Sequence, residues 1–174
     1  MALAVCMLFD GAGDLTVRRL WERLEQQGIR SLQSHTHGRH HPHLSYVVLR
    51  TYEVEKIEKA LESFDDAGPF TLSFHGIVVF PRGRVCVVPS VTSDVVRRQE
   101  AIEAATRATG ADVHRHYQHG EWVPHISLAP RATGSQLAVV TKAVTDVLPL
   151  TLTVNRSALI DSSTGRLWPL PMIL

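Results

Sequence analysis

The sequence predicts an α+β fold of two pseudo-symmetric β-α-β-α-β lobes flanking a central cleft. Three observations predict it. A short pattern occurs twice, Pro42-His43-Leu44-Ser45 ahead of Tyr46-Val47-Val48-Leu49 and Pro124-His125-Ile126-Ser127 ahead of Leu128-Ala129. The order strand, helix, strand, helix, strand also runs twice along the chain. The spacing from leading strand to motif histidine, and from that histidine to the next helix, is nearly equal in the two halves. With 9 prolines and 10 histidines in 174 residues, two copies of so specific a pattern are too many for chance.

The first strand is the apolar run Met1 to Phe9, which Asp10 interrupts well short of the ~20 residues a membrane span needs. Gly11 to Gly13 are expected to turn the chain. Val17, Leu20, Trp21 and Leu24 then recur at helical spacing, with Asp14 as the expected cap and Gly28 as the stop. Ser34 to His41 is a polar loop carrying His35, His37, His40 and His41, and the first motif strand follows from His43 to Leu49. Val54, Ile57, Leu61 and Phe64 mark a second helix, stopped near Gly68-Pro69. Phe70 to Phe80 reads as a long strand, and Pro81-Arg82-Gly83 turns it into the strand Arg84 to Val88.

From there the order repeats. Ser93 is the expected cap of a helix carrying Val95, Ile102 and Ala105, ended by Gly110. A polar stretch with His114, His116 and His119 leads to the second motif strand, Leu137, Val140, Val144 and Val147 make a fourth helix, and Leu150 to Ile160 is the strand after it. Lobe one is thus placed at about 1–80 and lobe two at about 84–165. A closing strand at about 166–174 is put at a sheet edge by Pro169 and Pro171.

Composition bounds the function. Hydrophobic residues at 44% and charged residues at 20% belong to a globular chain that folds alone, here expected to be cytoplasmic and monomeric. Eighteen basic residues are spread among 17 acidic ones, which excludes a broad electropositive surface for extended nucleic acid. Cys6 and Cys86 each sit in an apolar run and are read as reduced, buried thiols, with no zinc-type spacing. The histidine-rich loop is read as solvated rather than as a metal site, because a metal needs fixed geometry; a place beside bound phosphate is the alternative.

In a strand, residues two apart share a face, so each motif presents an imidazole beside a hydroxyl. Related by an approximate twofold axis, the lobes would bring His43 and His125 to either side of one cleft. Histidine titrates near 6.5, so one neutral and one protonated copy can coexist at neutral pH and supply a base and an acid without metal or other cofactor. Ser45 and Ser127 can donate to the nonbridging oxygens of a phosphate held between them. His75, Arg82, Arg84 and Arg131 are candidates for contacts to substrate, and Tyr117 and Trp122 for stacking on a base. Trp21 is assigned to the core.

These paired motifs resemble the 2H phosphoesterase superfamily, the LigT-like group that includes RNA 2′,3′-cyclic phosphodiesterases once called 2′-5′ RNA ligases. The carrying residues are His43-Leu44-Ser45 and His125-Ile126-Ser127, with serine where many members have threonine. The stretch Gly76 to Val85 is also similar to the family's central hairpin. The resemblance implies a bilobal LigT-like fold with mainly antiparallel sheets. It implies a metal-independent hydrolase of 2′,3′-cyclic phosphates, on RNA ends or small nucleotides, that leaves a 2′-phosphate. The same residues run in reverse would join 2′-5′ ends, and a cleft used for recognition alone would make an RNA-end or nucleotide-binding module.

Overall fold

A computed structural model describes residues 2–174; Met1, with which the expected first strand opens, lies outside the described residues. The elements are β1 (Leu3–Phe9), α1 (Gly11–Gln26), β2 (His43–Leu49), α2 (Val54–Leu61), β3 (Phe70–Phe80), β4 (Arg84–Ser90), α3 (Ser93–Ala108), β5 (Ile126–Ala129), α4 (Ser135–Thr145), β6 (Leu150–Asp161) and β7 (Leu167–Pro169). All strand pairs are antiparallel, and the strands form one sheet in the order β2-β1-β6-β3-β4-β5, with β7 also paired to β6.

That order is a palindrome under duplication. Exchanging β1 with β4, β2 with β5 and β3 with β6 reads the same sheet backwards, so a pseudo-twofold axis passes between β3 and β6. The boundary expected at 80–84 falls on the β3–β4 connection, and elements from its two sides interleave. β6 lies between β1 and β3. Helix α1 packs on β5 and α4, while α3 packs on β2 and α2, so each motif strand is covered by a helix from the opposite half.

β1 is buried along its whole length, which is why its sequence is apolar without alternation. Leu3, Val5, Met7 and Phe9 enter the main core, and Ala4, Cys6 and Leu8 form a smaller cluster with Ala158 and Ile160 on the other face.

Two helix starts differ from expectation. Asp10, not Asp14, caps α1: its Oδ1 accepts from the Gly13 N–H at 2.7 Å, and the glycines form the first helical turn rather than a loop before it. Gly13 is needed there because a Cβ would stand 2.9 Å from Phe9 Cβ. Asp14 instead pairs with Arg18 at 2.5 Å. Helix α3 is capped by Thr92, one residue before Ser93, and α2 ends at Leu61, short of Phe64.

The closing strand is shorter than expected. β7 runs antiparallel to Ala158–Ile160 of β6, beyond the stretch of β6 that β3 occupies. The chain then turns into the core, where the Leu174 N–H donates to Ser157 Oγ at 2.9 Å and the Leu174 carbonyl accepts from the Tyr46 hydroxyl at 2.7 Å.

Candidate active site

The loops leading to the two motifs are copies of one another. Gly28 and Gly110, Gly38 and Gly120, Pro42 and Pro124, His43 and His125, and Ser45 and Ser127 are each separated by the same number of residues. All four glycines have positive φ, at 74°, 88°, 65° and 79° for Gly28, Gly110, Gly38 and Gly120. Equal spacing and the same left-handed turns deliver both motifs to their strands in the same way.

Both histidines are fixed alike. His43 Nδ1 lies 2.6 Å from the His41 carbonyl, and His125 Nδ1 lies 2.7 Å from the Val123 carbonyl. A carbonyl only accepts, so each Nδ1 carries a proton and each Nε2 is left as the nitrogen available for chemistry. His43, Ser45, His125 and Ser127 line a single cleft of about 270 Å³. Burial holds both imidazoles below the ordinary histidine pKa, partly offset by their carbonyl bonds. The charge of His125 lowers His43 further, and that of Arg84 lowers His125. A cleft so arranged resists holding two protons on its imidazoles at once.

The serines are placed by pairs that the spacing did not reveal. Cys6 is the register partner of Ser45 across β1–β2, and Cys86 that of Ser127 across β4–β5. Each cysteine sits beside a register shift, after Val5 and after Val85. Cys6 Sγ is 3.6 Å from Ser45 Oγ, and the Cys86 thiol donates to Ser127 Oγ at 3.8 Å. Both cysteines are free and buried, and burial pushes Cys6 up to about 12 and Cys86 up to about 11, so both remain neutral thiols. The serine carbonyls are anchored too: Trp122 Nε1–H donates to Ser45 O and Trp21 Nε1–H to Ser127 O, each at 3.0 Å.

Trp122, expected to stack on a base, lines neither the cleft nor the groove beside it. Its indole is committed to the backbone of β2 and lies against Tyr46, with ring centroids 6.4 Å apart. Tyr117 does line the cleft, but its hydroxyl sits beside Ser45 and near both thiols, where burial raises its pKa and keeps it a neutral donor. Arg84, the first residue of β4, also lines the cleft. His75 does not: it is exposed, at the register shift between Phe74 and Gly76. Arg131 is exposed and lies outside the cleft. Arg82, at φ 69°, lines an adjoining groove of about 690 Å³. That groove carries Arg115 and Phe80, with Glu121 as its one carboxylate. The Phe80 ring contacts the His125 ring, with centroids 4.9 Å apart.

In the loop of Ser34 to His41, Ser34, Thr36, Gly38 and Arg39 are exposed, and His35, Thr36 and His40 line the cleft. Among the described residues no group of three His, Cys, Asp or Glu side chains is placed to hold a metal ion, and no helix is long and apolar enough to cross a membrane. Gln99 was hidden by its polarity within a helix read by apolar spacing. It is buried and donates to the carbonyls of Tyr46 at 3.3 Å and Tyr117 at 2.8 Å, tying α3 to the first motif strand and to the loop of the second.

A palindromic antiparallel sheet with one His-x-Ser strand from each half on a shared cleft defines a duplicated two-histidine fold. The chain belongs to the 2′-5′ RNA ligase superfamily of 2H phosphoesterases, whose family model matches residues 15–166. It is similar in fold to Escherichia coli LigT complexed with 3′-AMP, at 15% identity and TM-score 0.63 over 97% of this chain and 93% of that one. A protein from Thermus thermophilus matches at 17% identity and TM-score 0.62 over 99% of both chains. A protein described as a phosphoesterase matches at 13% identity and TM-score 0.62 over 99% and 98%. At these identities the likeness shows the fold. No curated protein sequence matches the chain.

Proposed function

We propose that this protein is a metal-independent cyclic phosphodiesterase that opens 2′,3′-cyclic phosphates of RNA ends or small nucleotides to 2′-phosphates. The observation that carries the reading is the matched pair of imidazoles, each with Nδ1 tied to a backbone carbonyl and both lining one cleft. With phosphorus between the two Nε2 atoms, the neutral ring takes a proton from water as its oxygen bonds to phosphorus. The protonated ring delivers its proton to the 3′ oxygen as that P–O bond breaks. Ser45, Ser127 and the neutral Tyr117 hydroxyl donate to the nonbridging oxygens, where negative charge grows. The adjoining groove, with Phe80 and its arginines, receives the nucleoside.

The test is incubation with 2′,3′-cyclic AMP in the presence of EDTA, with products identified by phosphorus NMR. A 2′-phosphate is expected, and His43→Ala or His125→Ala should each lower the rate by about 10²- to 10⁴-fold. Near-normal turnover in either folded variant, or binding with no turnover by the unaltered protein, refutes the assignment.

A further inference from the structure

The duplication makes every residue of the first loop comparable with one in the second. At the spacing that relates His43 to His125, His35 corresponds to Tyr117, His37 to His119 and His40 to Trp122. In the second loop each of the three has a partner: Tyr117 lies beside Ser45, Trp122 holds the Ser45 carbonyl, and His119 pairs with Glu100 at 3.0 Å. Their counterparts in the first loop stack on one another instead. The His35 and His40 rings are 5.7 Å apart and inclined by 20°, and those of His37 and His40 are 4.3 Å apart and inclined by 32°.

Two rings of the stack leave hydrogen-bonding capacity unused, while His40 Nε2 lies 3.0 Å from Thr36 Oγ1. His37 Nδ1 accepts from the Arg39 N–H at 3.0 Å, so the neutral ring keeps its proton on Nε2, and Nε2 is buried with no partner. His35 Nδ1 is likewise buried and unpartnered. Such groups are costly unless something answers them. The charged or titratable groups acting on His35 and His40 are Arg30, Arg84, His43 and the stack itself, all cationic when charged. From the β6–β7 turn, Gly165 packs so closely on the loop that a Cβ would stand 2.8 Å from His37 Cε1. The carboxylate of that turn, Asp161, is engaged by Ser163 and Thr164. His35 and His40 open onto the catalytic cleft, and the Leu32 N–H ties their loop to the Leu128 carbonyl of β5 at 3.0 Å.

We propose that His35, His37 and His40 form a second anion subsite adjoining the cleft, which takes a further phosphate group carried by the same substrate. The inference rests on the cyclic phosphodiesterase reading for its substrate, but not for the existence of the subsite. Empty, burial and the neighbouring cations hold His35 and His40 below the ordinary histidine pKa. An arriving anion offsets that repulsion, so binding takes up protons and strengthens as pH falls.

Sulfate, a dianion across the histidine range, tests the subsite without turnover in the His43→Ala variant. Long-range proton–nitrogen NMR should show the His35, His37 and His40 rings shifting saturably, more tightly at about pH 6 than at about pH 8. Kinetics then tests the substrate: adenosine 2′,3′-cyclic phosphate is compared with its 5′-phosphorylated form and with a dinucleotide ending in a cyclic phosphate. The preferred phosphorylated substrate should gain about tenfold in kcat/KM, and His35→Gln and His40→Gln should bring that ratio close to one. Which form gains tells a 5′-phosphomonoester from an internucleotide phosphate. Rings that do not respond to sulfate, or a ratio unchanged in both variants, overturn the subsite. Absence of all turnover alongside a saturable sulfate response overturns the phosphodiesterase reading instead.

Discussion

His43 and His125 share one environment, and it sets a pH dependence. Burial lowers both pKa values, so both limbs of the kcat/KM profile of the free enzyme shift to lower pH. The base is silenced as pH falls through the lower of the two coupled pKa values, and the acid is lost as pH rises through the higher one. Because both lie below the ordinary value, the optimum should fall on the acid side of about 6.5. A rate that climbs to a plateau at about pH 8 would contradict this ordering. Removing the Arg84 charge relieves His125, so Arg84→Gln should move the profile towards higher pH, read from the same measurement.

The thiols make a second residue-scale prediction. Cys86→Ala leaves Ser127 Oγ without its donor and a small void beneath it, which should cost about 1 kcal/mol of stability and lower kcat more than it raises KM. An unchanged kcat in the folded variant would make the thiol mere packing. The imidazole-hydroxyl couples were legible in the sequence because the same Pro-His-x-Ser pattern occurs twice, each time at the head of a strand. The thiols were not, because a cysteine within an apolar run is indistinguishable from any small buried residue until strand register is known.

Elements were legible where hydrophobic period, glycine and proline agreed. The strands β2 and β3 and the stop of α1 follow expectation. Helix starts did not, because Asp10 and Asp14 are equivalent as capping residues until the close approach of Gly13 to Phe9 fixes where the helix begins. The turn joining β3 to β4 depends on Gly83. It has φ 75°, its carbonyl accepts from the Ala132 N–H at 2.7 Å, and a Cβ there would overlap the Ala132 carbonyl oxygen. Gly83→Ala should therefore destabilise the protein by about 2 kcal/mol or more, measured by denaturant unfolding, since both backbone conformation and contact oppose it. A loss within the scatter of surface substitutions would mean that the turn yields readily.

At the scale of the whole molecule, the sequence showed a repeat but not how its copies interlock. Two equal halves can pack side by side or exchange elements, and hydrophobic spacing is the same in both cases. Interlocking has a thermodynamic consequence. β6 completes the sheet against β1, α1 covers β5 with Trp21 bonded to the Ser127 carbonyl, and α3 covers β2 with Gln99 bonded to the Tyr46 carbonyl. Neither half keeps its own motif strand covered once the other unfolds, so no partly folded state retains an intact core and the chain should unfold in one transition. Far-ultraviolet dichroism, tryptophan fluorescence and loss of activity should trace coincident denaturation curves. Leu152→Ala, in the seam where β6 meets β3, should shift all three together by about 2 to 5 kcal/mol. Separate midpoints for fluorescence and dichroism would show that one half stands alone, and that the cleft is a contact between independent lobes rather than a product of their exchange.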